Sequence, residues 1–133
     1  MDTGWRSGVI PALPVDELLT AAAAQFPDVW AMDFLGKRTS YARLSRLVAR
    51  AAAGFQKLGV VRGARVALCL PNTPYYVICY YAILRAGGVV VNLSPLYTES
   101  EIRHFLKDSG ARIAVTLDVD ELYTKFAPIV ADG

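Results

Sequence analysis

Few residues of this chain are of a type that does chemistry, and they are scattered. The only histidine, His104, stands between Arg103 and Phe105 at a polar helical position. No serine or cysteine in a nucleophile's setting accompanies it, so it reads as an exposed structural histidine and not a general base. Cys69 and Cys79 each sit inside an apolar run, VALCL and VICYY. They read as reduced core thiols, since free cysteine is among the most buried residue types. There is no CxxC or HxxxH spacing, and one histidine cannot build a zinc site alone. Asp118 and Asp120 follow a single apolar run, whereas a phospho-accepting aspartate site draws its acids from several strand ends. Tyr75, Tyr76, Tyr80 and Tyr81 put rings on two faces of one helix. Core packing or an internal interface accounts for them better than an aromatic ligand box, and each buried hydroxyl needs a partner. Arg43, Arg46, Arg50 and Lys57 lie mainly off an apolar helical face and read as solvated charge.

Phosphate chemistry has no visible cradle. Neither GxGxxG nor GxxxxGK[ST] occurs, and the Gly87-Gly88 pair opens an apolar run instead of following one.

The elements that would position these residues follow from periodicity and punctuation. Gly8, Pro11 and Pro14 break residues 1–15 into an extended lead-in. Asp16 is expected to cap a helix over 17–26 that Pro27 ends. Trp30, Met32 and Phe34 alternate before Gly36, which predicts a short hairpin. Thr39 or Ser40 should cap a helix carrying Tyr41, Leu44, Leu47, Val48, Ala51, Phe55 and Leu58 at helical spacing, with Gly59 as its left-handed end.

From residue 65 the pattern becomes strand, helix, strand, helix, strand. RVALCL (65–70), GVVVNL (88–93) and RIAVTL (112–117) are the expected strands. The helix over 74–86 is apolar nearly all round and should be buried on more than one side. Pro74 suits its first turn, Thr73 its N-cap, and the side chain of Asn72 should clasp free amides there. Thr98 and Glu101 form a capping-box pair ahead of a helix that Gly110 ends. A last helix is expected over 119–131. Strands separated by helices of this length imply parallel neighbours, so the fold class is α/β: a three-layer sandwich with a mainly parallel sheet plus the N-terminal hairpin. Ligands in such folds bind at the carboxyl ends of the strands, here LPNTP, NLSPLY and TLDVD.

Composition narrows the classes. The chain has 133 residues, 54% hydrophobic and 20% charged, with a net charge of +2. Ordinary domains are about 45–50% apolar and about 25% charged. Either the core is large, or part of the apolar surface is normally covered by something else. Basic residues form no run of five or more, which argues against nucleic acid as a partner. The N-terminus has no apolar segment of signal-peptide type. The most lipid-like stretch, Tyr75 to Leu84, stops at Arg85, short of the ~20 residues a membrane span needs. A cytoplasmic protein is expected, with peripheral attachment at the inner membrane face left open.

Ordered along residues 16 to 131 are a T-S-Y helix start at Thr39, the Leu58-Gly59-Val60 helix end and G-x-x-V-A-L-x-L-P-N from Gly63 to Asn72. They are followed by Ala86-Gly87-Gly88, N-x-x-P-x-Y-T from Asn92 to Thr98, and D-S-G-A from Asp108 to Ala111. This series resembles the N-terminal subdomain of the adenylate-forming (AMP-binding) superfamily, and NLSPLYTESEI with DSGA is most similar to bacterial long-chain fatty acyl-CoA synthetases. Ala64 departs from the family pattern, which has an acidic residue there.

The resemblance implies an ATP-dependent ligase that first makes an acyl-adenylate and then an acyl-CoA. ATP, magnesium and coenzyme A would serve the full-length enzyme, with none bound by this stretch. It also implies that the serine-, threonine- and glycine-rich phosphate loop, the magnesium glutamate, the ribose aspartate and the mobile lysine lie outside the matched region. No residue here is therefore assigned a catalytic, cofactor-binding or metal-binding role. Residues 1–15 would be an extended arm and 16–133 a truncated N-terminal subdomain of the large domain. The expected partners are the remainder of the polypeptide, a fatty acid in the full-length enzyme, and a second copy as a homodimer. An aryl- or medium-chain acyl-CoA ligase fragment and a free-standing non-catalytic interaction module are the alternative readings.

Overall fold

The computed structural model describes residues 12–133; most of the arm expected over 1–15 lies outside the described residues. The described chain runs α1 (Val15–Gln25), β1 (Trp30–Phe34), β2 (Lys37–Ser40), α2 (Tyr41–Lys57), β3 (Arg65–Leu68), α3 (Pro74–Arg85), β4 (Val89–Asn92), α4 (Glu99–Ser109), β5 (Ile113–Val115) and α5 (Asp120–Ala131). Every expected element is present.

Local chemistry sets the boundaries. Ser40 caps α2, its Oγ accepting from the Arg43 amide at 3.2 Å. At the other end Val60 N donates to Phe55 O at 3.0 Å and Gly59 N to Gln56 O at 3.1 Å, with Gly59 at φ 95°. That paired geometry is a Schellman end, which needs a residue free to adopt the left-handed conformation. Thr98 Oγ1 accepts from the Glu101 amide at 3.2 Å to start α4, and Gly110 closes it at φ 72°. α1 differs from expectation. Asp16 is not its cap: Pro14 occupies that position, its carbonyl accepting from the Glu17 amide at 3.0 Å, and Asp16 falls inside the first turn. There its charge still complements the helix dipole. Phe26, displaced from helical geometry by Pro27, ends the helix.

The hairpin closes through a two-residue turn, Leu35-Gly36, both at positive φ. The Asp33 carboxylate holds that turn, accepting from the Gly36 amide and from Arg38 Nε, each at 3.2 Å. The alternation of Trp30, Met32 and Phe34 does not translate into burial. The register is irregular between Trp30 and Met32; Trp30 and Phe34 are exposed, and Met32 packs on the core.

The second sheet has the order β4-β3-β5, parallel throughout. One core lies on the face covered by α1, α2 and α3, built from Leu19, Leu44, Val48, Phe55, Val66 and Ile83 among others. The other lies under α4 and α5, with Ala67, Cys69, Ile102, Leu122 and Phe126. Successive residues of β3 enter opposite cores, as the two-residue period of a strand requires. Gly88 fixes how closely α3 approaches the sheet. A Cβ there would lie 2.9 Å from Ile83 Cγ2 and 3.1 Å from Ala64 O. α3 itself departs from expectation: Ala82 and Ile83 are its buried residues, Tyr75 is exposed, and the other tyrosines are half-buried. Among the described residues no element covers its outer side.

Two glycine substitutions should shift stability in opposite directions. Gly88→Ala forces a methyl into closed packing and is expected to cost about 1–3 kcal/mol. Gly54→Ala, on an open helical face with nothing within 4 Å of the new Cβ, should gain about 0.5–1 kcal/mol. Thermal melts followed by circular dichroism check both signs.

Candidate functional site

Of the residues that could do chemistry, the fold brings few together. His104 is exposed, its ring edge-on to Phe105 with centroids 5.4 Å apart. Asp118 and Asp120 are exposed after β5. Among the described residues no group of three or more His, Cys, Asp or Glu is arranged to hold a metal. Cys69 is buried and Cys79 half-buried, both as free thiols. Burial pushes both thiols up from their ordinary value; at Cys69 the nearby Lys125 ammonium works in the opposite direction. Both therefore stay protonated at neutral pH, the opposite of a nucleophile's requirement.

What the fold does assemble is an open aromatic face. Tyr76 and Tyr80 stack at 6.1 Å, and Tyr80 meets Tyr81 edge-on at 5.4 Å. The Tyr76 hydroxyl donates to Asn92 Oδ1 at 2.7 Å, joining α3 to the carboxyl end of the edge strand β4. Burial, then Tyr80 and Tyr41, push the Tyr81 hydroxyl above its ordinary value. A cleft of about 330 Å³ runs between the hairpin residues Met32, Asp33 and Phe34 and the entry to α3, where Asn72, Thr73, Pro74, Tyr76 and Val77 line it. A second open hollow of about 360 Å³ continues along Tyr76, Val77, Tyr80, Tyr81 and Asn92.

The turn after β3 is not built as expected. Asn72 is exposed on the rim of the cleft. Thr73 holds the N-cap position of α3 by its backbone, but its hydroxyl makes no capping bond, and Oγ1 is buried without a partner. The clasp assigned to Asn72 is thus absent. Pro71 and Pro74 already hold the flanking residues extended, so the turn forms without it. Among the described residues Thr116 Oγ1, just past β5, is the other buried hydroxyl without a partner. Both lie at the carboxyl ends of neighbouring strands whose exits lead to opposite faces of the sheet, the position of a ligand crevice in open α/β folds.

That crevice does not fit a nucleotide triphosphate from this chain's residues alone. A triphosphate needs cations and a row of free amides, and the strand ends supply neither a glycine-rich loop nor a lysine.

Three basic side chains make contacts that were mostly not legible in sequence. Arg85 donates to Ser45 O at 3.4 Å and Thr20 Oγ1 at 3.2 Å, tying α3 to α2 and α1. Lys125 Nζ donates to Pro95 O at 2.9 Å. Arg103 pairs with Glu99 at 3.0 Å and Asp132 at 2.8 Å, joining α4 to the end of α5; only the Glu99 half, four residues away, has a sequence signal.

The order of elements, the parallel sheet and the motifs at its strand ends match a known family. Residues 19–132 fit the AMP-binding enzyme family model. The chain belongs to that family. It is 41% identical over 110 residues to a long-chain-fatty-acid–CoA ligase of Bacillus subtilis, covering 83% of this chain and 20% of that protein. Among solved structures it is similar to a long-chain-fatty-acid-CoA ligase from Archaeoglobus fulgidus, with a TM-score of 0.82, 27% identity, and coverage of 92% of this chain and 26% of the other. It also resembles the NpsA N-terminal subdomain of Klebsiella oxytoca, with a TM-score of 0.77, 26% identity, and coverage of 82% and 28%. The chain therefore spans about a fifth of the length of the curated relative. Among the described residues no helix is long and apolar enough to cross a membrane.

Two measurements check this site. Asn72→Ala is expected to change stability by less than about 0.5 kcal/mol, as for an exposed side chain without a fixed partner; a loss above about 1 kcal/mol would restore the clasp. Because the thiol values are raised in the folded state, their contribution to stability is present at neutral pH. It is lost as pH rises past the unfolded thiol's value of about 8.5. Melting temperature should fall more steeply above that pH in the native chain than in a Cys69→Ala/Cys79→Ala variant.

Proposed function

We propose that this chain is the N-terminal portion of an ATP-dependent long-chain fatty acid–CoA ligase, and that alone it is non-catalytic. The observation that carries the reading is the 41% identity to a long-chain-fatty-acid–CoA ligase across most of this chain but only a fifth of that protein. In this reading residues 16–133 form a truncated N-terminal subdomain of the large domain, and residues 1–15 lead into it. ATP, magnesium and coenzyme A belong to the whole enzyme, whose remaining length supplies the groups that hold them.

The work of this stretch is structural. Its parallel sheet and the tyrosine face of α3 offer a preformed surface for the rest of the same polypeptide. Tyr76, Val77, Tyr80 and Tyr81 lie half-buried around an open hollow, as suits side chains that complete their burial against another element. The same surface, left uncovered, suits self-association. The whole enzyme works from the cytoplasm on a lipid substrate, and peripheral attachment to the inner membrane face belongs to this reading.

Incubated with palmitate, ATP, magnesium and coenzyme A, the chain should release no pyrophosphate above a no-protein control. Release above that control would overturn the non-catalytic assignment. The ligase assignment is tested by a chimaera in which this chain replaces the matched segment of the Bacillus subtilis relative. Palmitoyl-CoA formation by the chimaera is expected; a folded, soluble chimaera without it would count against the assignment.

A further inference from the structure

α2 is 17 residues long and carries four cations, Arg43, Arg46, Arg50 and Lys57, and no carboxylate. At roughly 100° per residue the four fall within a sector of about 60°. The buried stripe of Leu44, Val48, Ala52 and Phe55 lies on the opposite side of the helix. All four cations are exposed, and none takes part in an ion pair among the described residues. About 20° beyond that sector on either side, Ala53 and Gly54 are exposed and small, and open space lies over Gly54. The helix then ends in a loop whose Leu58 and Val61 are 67% and 66% exposed, flanked by Lys57 and Arg62. Val60, 2% exposed, pins that loop to the core between them.

We propose that the outer face of α2 and the loop 58–62 form a docking surface for an anionic lipid bilayer. The proposal rests on the peripheral attachment inferred above and gives it a location. A face meant for interior packing would not carry four unpaired cations, because their desolvation would go uncompensated. A straight cationic band flanked by small residues can be approached by a flat surface. Leu58 and Val61, set among cations, match the order of an anionic bilayer, with charged headgroups outside and acyl chains beneath. An acidic polypeptide would satisfy the cations but leaves the two exposed apolar side chains without a role. The same helix thus faces the core with one side and the membrane with the other.

Cosedimentation of the chain with vesicles tests this, using phosphatidylcholine alone and phosphatidylcholine mixed with phosphatidylglycerol. Binding to the anionic vesicles is expected, weakened at least about tenfold by the triple change Arg43→Gln, Arg46→Gln and Arg50→Gln, and weakened likewise by high salt. Gly54→Glu, which sets a carboxylate into open space beside the band between Arg50 and Lys57, should weaken binding several-fold while strengthening the helix; it serves if the triple variant misfolds. Leu58→Ser with Val61→Ser should also reduce binding. Undiminished binding by the folded charge variants overturns the α2 surface and leaves the attachment standing. Failure of the unaltered chain to bind either vesicle overturns this surface; the attachment itself falls if the whole enzyme also fails to cosediment. Equal binding to neutral vesicles removes the electrostatic basis. Retention on poly-glutamate without vesicle binding would assign the face to an acidic polypeptide and overturn the lipid assignment.

Discussion

The rest of the structure depends on the burial of β3 from both sides. Val66, Ala67, Leu68 and Cys69 are all 0% exposed, with Val66 in one core and Ala67 and Cys69 in the other. Peptide groups so placed have no water to bond and must be paired along both edges. The flanking strands do this in fixed register, Val66 opposite Val90 on one side and Ile113 on the other. A slip of one residue would exchange the side chains of the two cores. The helices follow from this: α1, α2 and α3 must cover one face, α4 and α5 the other.

Close packing on the first face leaves a consequence on its outside. Gly88 lets α3 approach the sheet, and Ala82 and Ile83 fill that contact. The remaining apolar residues of α3 cannot also face the sheet, because a helix has a full circumference and the sheet takes only one side. They form the open tyrosine surface. α2 resolves the same geometry differently, with an apolar stripe inward and a cationic band outward. One helical layer therefore offers two unlike outer surfaces, one suited to protein and one to charge.

The candidate site was legible in the sequence only where immediate neighbours decide a side chain's surroundings. The readings of His104 as exposed and Cys69 as buried agree with the fold, because each depended on its immediate neighbours. Asn72 was misread because capping depends on where a side chain points, and two prolines had already shaped its turn. The Tyr76–Asn92 bond and the Arg85 clasp join residues far apart in the chain, with no local signal to announce them.

The order and type of the elements were determined by the sequence alone. Period-two and period-3.6 apolar patterns, prolines at 27 and 74 and glycines at 59 and 110 act over a few residues and need no tertiary partner. Strand order, the assignment of each helix to a face, and the limits of burial were decided only in three dimensions. The run from Tyr75 to Leu84 shows why. Its composition records that the side chains avoid water, but how many of them can leave it depends on what packs alongside, which is set by contacts between residues distant in the chain.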